Sequence, residues 1–154
     1  MKFGQQAVLF FSTGCYSGHI PFAPGTFGTL AGLPLCWLAS LCPTGVGVII
    51  IIAVIVLAVW LAHVSEKLLG SKDPGCIVID EIAGMLVTLA GLPFTFLTVV
   101  LGFVLFRILD ILKPFPIRML DRKIPGGAGI VIDDLAAGII ANITLRIVLY
   151  IIGI

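Results

Sequence analysis

From Val46 to His63 the chain runs without a charge through Val, Ile, Leu, Ala and one Trp, directly after the breaker Pro43-Thr44-Gly45. Such a run approaches the roughly 20 apolar residues that one helix needs to cross a bilayer, and a soluble domain rarely has room to bury it. The rest of the chain agrees. Of 154 residues 60% are hydrophobic and 11% charged, against about 25% charged in an ordinary soluble domain. Disorder is excluded, because this much apolar surface collapses. Nucleic-acid binding is excluded as well: nine Lys and Arg against eight Asp and Glu leave a net charge of only +1 and no basic excess. The expected solvent is a lipid bilayer.

Breakers and polar loops divide the chain into about five spanning segments. Phe27 to Leu41 pairs with Val46 to His63 as a hairpin, and a polar loop, Ser65 to Gly75, follows with Glu66, Lys67, Lys72 and Asp73. Ile77 to Leu92 and Phe94 to Leu112 form a second hairpin around Pro93. A basic, Pro- and Gly-rich loop, Lys113 to Gly129, leads into a last helix from about Ile130 to Ile152. The fold class is therefore all-α, a polytopic membrane helical bundle in one membrane-embedded domain over 1–154. Met1 to Ser17 lacks the pattern of a signal peptide and is short enough to lie in the interface.

Charge sets the orientation. The turns at Pro43-Gly45 and Pro93 and the tail after Tyr150 hold no charge, while the two opposite loops hold six Lys or Arg, which makes those loops cytoplasmic by the positive-inside rule. Asp80, Glu81, Asp110, Asp133, Asp134 and the segment His19 to Thr29 then gather at the cytoplasmic boundary. Arg146, about three turns beyond Asp134, lies near the far interface.

Carboxylates at membrane depth cost about 2.5 to 3.5 kcal/mol each on insertion scales and demand a partner. A divalent cation supplies one, and Asp and Glu oxygens suit Mg²⁺, with no His/Cys cluster as a softer rival. The acids also repeat: Ile77-Val78-Ile79-Asp80-Glu81-Ile82-Ala83 matches Ile130-Val131-Ile132-Asp133-Asp134-Leu135-Ala136, 53 residues on. Two such helix starts can face each other across a cation. The competing reading makes Asp80 and Asp133 helix N-caps, each with an acidic neighbour favoured by the helix dipole.

Arg107, Asp110 and Lys113, spaced i, i+3, i+6, form either a self-neutralising cluster or a metal ligand flanked by phosphate-binding cations. With Arg118 and Arg122 following, the region suits an anionic ligand or lipid surface. Pro24-Gly25-Thr26-Phe27-Gly28-Thr29 is a glycine- and hydroxyl-rich turn able to present N–H groups, with Thr26 and Thr29, to phosphate; taken alone, helix capping by Thr26 with glycine for close packing is the better explanation of it. It is no Walker loop, since no G-K-[ST] follows. Cys15, Cys36, Cys42 and Cys76 form no C-x-x-C pair, none begins a C-x5-R phosphatase loop, and they read as apolar filler.

Pro24-Gly25-Thr26, Asp80-Glu81-x-x-Gly84 and the run from Phe106 to Gly138, F-R-I-L-D-I-L-K-P-F-P-I-R-M-L-D-R-K-I-P-G-G-A-G-I-V-I-D-D-L-A-A-G, together resemble the phosphatidylglycerophosphatase A family. The resemblance extends from about Gly14 to Asn142. It implies a Mg²⁺-dependent phosphatase of the bacterial inner membrane that converts phosphatidylglycerophosphate to phosphatidylglycerol. Asp80, Glu81, Asp110, Asp133 and Asp134 stand at the family's acidic positions, Arg107, Lys113, Arg118 and Arg122 at its basic ones, and Asp73 at a further acidic one.

On this reading Asp80, Glu81, Asp133 and Asp134 are catalytic, and with Asp110 they hold the metal. Thr26, Thr29, Arg107, Lys113, Arg118 and Arg122 bind the phosphate, and water attacks in line. An aspartyl phosphate is the covalent alternative. The expected partners are a phospholipid substrate and the membrane, with no nucleic acid; oligomeric state is unreadable. Ser17-Gly18-His19 is similar to an element of the type-2 phosphatidic acid phosphatases, but the companion K-x6-R-P motif is absent, so His19 reads as peripheral and His63 as an interface residue. Two rivals stand beside the phosphatase. A CDP-alcohol phosphotransferase lacks its D-G-x-x-A-R element here. A small transporter or channel would use Asp80, Asp134, Asn142 and Arg146 as a polar path, since positions 134, 138, 142 and 146 follow i+4 steps along one face.

Overall fold

A computed structural model describes residues 3–124 and 126–154 in backbone, and all of these but 121–123 in side chain. Among the described residues the chain forms helices and no strand: α1 (Phe3–Ser12), α2 (Pro24–Ser40), α3 (Thr44–Leu69), α4 (Ile79–Leu89), α5 (Phe96–Leu112), α6 (Ile117–Lys123) and α7 (Gly127–Ile151), with a 3₁₀ turn at Ser17–His19. Local chemistry sets the ends. Pro24 stands in the first turn of α2, where its fixed φ favours the helix and its missing N–H costs nothing. Gly70, at φ 64°, closes α3 in the left-handed conformation, so α3 continues through Ser65 to Leu69, where the sequence suggested a loop. Thr95 caps α5, its hydroxyl accepting from Thr98 N at 3.2 Å. The basic segment 113–129 holds the short helix α6 and the start of α7.

The all-helical bundle stands, while the expectation of about five spans is not confirmed. Among the described residues two helices, α3 of 26 residues and α7 of 25, are candidate spans by length and apolarity. The helices α2 and α5 have 17 residues each, about 25 Å at 1.5 Å per residue. Expected over 77–92, α4 has only 11 residues, because its start waits for the 74–78 turn and its end comes where Ala90 turns extended and Gly91 takes a positive φ ahead of Pro93. It cannot span about 30 Å alone.

This short helix is the hub. Nine of its residues are buried, and α2, α3, α5 and α7 all pack around it. Outside, the bundle is apolar in helical stripes: Ile52, Val56 and Trp60 on α3, Val100, Val104 and Ile108 on α5, and Ile139, Ile143 and Ile147 on α7 are all exposed. Contiguous apolar surface of this extent marks a lipid or protein partner. Polarity lies within, where Asp80, Asp133, Asp134, Thr88 and Thr98 are buried.

Parallel packing of α4 and α7 organises the interior. A Cβ on Gly138 would sit 2.5 Å from the carbonyl oxygen of Gly84, and one on Gly84 would meet the Phe106 ring at 2.6 Å and the carbonyl oxygen of Asp134 at 2.9 Å. Glycine at both positions lets the two backbones approach closely. Further along, Asn142 Nδ2 donates to the carbonyl oxygens of Thr88 at 2.8 Å and Ala90 at 3.1 Å. Arg146 Nη2 donates to Ala90 at 2.8 Å, and its Nε to Asn142 Oδ1 at 2.9 Å. These donors satisfy carbonyls that the end of α4 leaves without helical partners. Asn142 and Arg146, read from sequence as part of a transport path, are thus hydrogen-bonded to the end of α4.

Candidate active site

The start of α4 and the second turn of α7 meet at the α2 N-terminus and the α5 C-terminus, enclosing a cleft of about 300 Å³. Six acids line it: Asp73, Asp80, Glu81, Asp110, Asp133 and Asp134. Arg107 and Lys113 are the lining cations among the described residues, and the α2 start supplies Ala23, Pro24 and Gly25.

The acids divide into two sets. Asp80, Glu81 and Asp134 each offer a carboxylate oxygen within 4.8 Å of the other two. Asp80 Oδ1, Glu81 Oε2 and Asp134 Oδ2 are buried and accept no hydrogen bond among the described residues. Buried carboxylate oxygens without donors are costly, and three together fit a hard cation as the missing partner. The other set is engaged with bases. Asp110 Oδ2 accepts from Arg107 Nη1 at 2.6 Å, and Asp133 Oδ2 accepts from Lys113 Nζ. Arg107 also stands 3.8 Å from Glu81, which joins the two sets.

Helix geometry explains the division. Adjacent residues point about 100° apart around an α-helix, so when Asp134 faces Asp80 across the α4–α7 contact, Asp133 is turned toward the end of α5. There Lys113 closes α5 at φ 43°, a left-handed residue that turns the chain and sets its side chain against Asp133. The N-cap reading of Asp80 and Asp133 fails on position: Val78 and Gly126 are the N-caps, and no side chain caps either helix.

The remaining expected site residues lie elsewhere. Thr29 is fully buried and donates to the carbonyl oxygen of Gly25 at 2.7 Å, so its hydroxyl serves the α2 backbone. Thr26 lies inside α2 and outside the cleft lining. Arg118 is exposed on α6 and does not line the cleft. Arg122 lies outside the residues whose side chains are described. Gly25 was not expected to matter itself: a Cβ there would strike Glu81 Oε1 and come within 3.0 Å of both Arg107 Nη atoms. Its sequence signal was the glycine beside Pro24 at a helix start. Asp73, at φ 48°, lines the same cleft; its signals in the sequence were its place before Gly75 and its match to an acidic position of the resembled family.

Fold and cleft together define a class: a helical protein with an apolar exterior and one buried, acid-rich pocket edged by two bases. Residues 10–149 match the family of phosphatidylglycerophosphatase A, and the chain belongs to that family. It is 44% identical over 131 residues to phosphatidylglycerophosphatase A of Escherichia coli, covering 84% of this chain and 76% of the relative. To phosphatidylglycerophosphatase A of Haemophilus influenzae it is 40% identical over 141 residues, covering 90% and 86%. A Bacteroides thetaiotaomicron protein named as a candidate phosphatidylinositol-3-phosphatase is 35% identical over 150 residues, covering 92% of each chain. No solved structure matches the chain significantly.

Proposed function

We propose that this protein hydrolyses the terminal phosphomonoester of phosphatidylglycerophosphate to phosphatidylglycerol and phosphate, as a single membrane-embedded domain. The observation that carries the reading is the triad of buried carboxylate oxygens of Asp80, Glu81 and Asp134 beside Arg107 and Lys113. Six acids against two bases also leave the cleft strongly anionic when ionised, and an anionic substrate needs that charge offset. Asp80, Glu81 and Asp134 hold a divalent cation, Mg²⁺ by ligand chemistry; when bound it polarises phosphoryl oxygen and offsets the charge that develops there.

The chain's own groups account for the other requirements. Asp110 fixes the Arg107 guanidinium and Asp133 fixes the Lys113 ammonium, so each base is held in place to meet the phosphate oxygens. Water attacks phosphorus in line with the P–O bond to glycerol; as that bond breaks, the proton lost by the water passes by way of a carboxylate to the departing glycerol oxygen. Of the three we assign to Glu81 the proton of the attacking water, because it is half-buried whereas Asp80 and Asp134 are buried. The exposed apolar stripes face lipid, the loops rich in Lys and Arg lie on the cytoplasmic side of the bacterial inner membrane, and the cleft opens at that face. In this arrangement α3 and α7 pack on each other and span the bilayer, while α2, α4 and α5 are shorter, partly inserted helices beside them.

Phosphate release from phosphatidylglycerophosphate in detergent, with Mg²⁺ and then with chelator, tests the proposal. Release should stop on chelation and return with added Mg²⁺. Release that persists without metal, or that survives both Asp80→Asn and Asp134→Asn, overturns it.

A further inference from the structure

A second cavity of about 440 Å³ lies at the opposite end of the bundle, between the end of α2, the start of α3 and the end of α4. Its walls include Ile51, Leu86, Leu89, Leu92 and Phe94, and its lining holds one charged residue, Arg146. Arg146 is also the only Lys or Arg in the chain beyond Lys123. Two of its guanidinium nitrogens are used, Nε toward Asn142 and Nη2 toward the Ala90 carbonyl. Nη1 has no hydrogen bond among the described residues, and the side chain is exposed.

The surroundings decide what such an arrangement can take. Ile143 and Tyr150, three residues before Arg146 and four after, are 54% and 86% exposed, so the guanidinium emerges from an apolar helix face. No acidic side chain lines the cavity. One fixed positive charge beside an apolar cavity is complementary to an amphipathic anion. We propose that this cavity binds a phospholipid with an anionic headgroup, its phosphate on Arg146 and an acyl chain against Ile51, Leu86 and Leu89. The cavity is separate from the acidic cleft. The proposal rests on the reading that the exposed apolar stripes face a bilayer, and it does not depend on hydrolysis.

Native mass spectrometry of the detergent-purified Asp134→Asn protein, offered phosphatidylserine and phosphatidylcholine with identical acyl chains, tests it. Both lipids are phosphodiesters, and the substitution disables the acidic cleft, so binding is read independently of turnover. Phosphatidylserine should be retained over phosphatidylcholine by about five-fold, the factor one basic residue contributes near anionic lipid. Adding Arg146→Gln should remove the preference, and Arg146→Lys should keep part of it. Val48→Trp, which fills the cavity wall while leaving Arg146 paired with Ala90, should reduce retention of both lipids, and this variant keeps the test open where Arg146→Gln fails to fold. Equal retention of the two lipids, a preference that survives Arg146→Gln, undiminished binding in Val48→Trp, or displacement of phosphatidylserine by inorganic phosphate alone would each overturn the proposal. Loss of phosphatase activity in the otherwise unaltered chain, measured separately, bears on the proposed function and not on this site.

Discussion

Asn142 on α7 donates to the carbonyl oxygen of Thr88 on α4 at 2.8 Å, 54 positions away in sequence. The same spacing relates Gly138 to Gly84 at the closest approach of the two helices, and Asp134 to Asp80 in the acidic triad. Three pairs at i, i+4 and i+8 on both helices describe a parallel contact held in one register, with the acids at one end and the amide at the other.

Removing the amide should loosen that register. Asn142→Leu leaves the Thr88 carbonyl without its side-chain donor and should cost about 1–3 kcal/mol, read as a lower melting temperature in detergent. Thr144→Val makes the control, because the Thr144 hydroxyl donates only within its own helix, to Ile140 at 2.8 Å; its effect should be well under half as large.

At the crossing itself, Gly138→Ala forces a methyl against the Gly84 carbonyl oxygen, which is backbone and cannot swing aside. Overpacking of this kind costs about 1–3 kcal/mol. The helices should part enough to separate Asp80 from Asp134, so a metal titration should show weaker activation together with the lower stability.

The two acids of the I-V-I-D-D segment should separate by function. Asp134→Asn removes a member of the triad and should lower kcat by at least about 100-fold, with a higher Mg²⁺ requirement. Asp133→Asn frees Lys113 from its partner and should raise KM about tenfold, one charge-assisted contact, with the Mg²⁺ requirement unchanged. The reverse pattern in steady-state kinetics would exchange their roles.

Gly25 gives a prediction that no carboxylate count supplies. Gly25→Ala pushes a methyl at Glu81 and Arg107 in the cleft, where displacement of about 1 Å can cost 100-fold in rate. Activity should fall by about 10- to 100-fold while the melting temperature changes little, because the cleft has open volume into which both side chains can shift.

Much of this was legible along the chain. The apolar run 46–63 falls within α3, Asp80 and Glu81 stand in the first turn of α4, and Arg107, Asp110 and Lys113 do share one cleft; α7 begins at Gly127, a turn before the expected Ile130, which leaves Asp133 and Asp134 in its second turn. The span count is less legible because hydropathy does not register where a helix ends. Gly91 and Ala90 stop α4 early, and a short apolar helix surrounded by four others reads like a piece of a membrane span. Thr29 looked available for phosphate because a hydroxyl's partner is invisible in sequence; here it is the Gly25 carbonyl one turn back.

By itself, then, the sequence determined a helical, apolar chain with its acids and bases concentrated near a few helix ends, since composition and periodicity fix which solvent each segment tolerates. The internal repeat pairs Asp80 with Asp133, at an offset of 53. Only the tertiary structure moved that offset to 54, setting Asp134 into the triad with Asp80 and Glu81 and giving Asp133 to Lys113. The reason is rotational: neighbouring carboxylates diverge by about 100° around a helix, and which of them faces α4 is fixed by where Gly84 and Gly138 let the backbones meet.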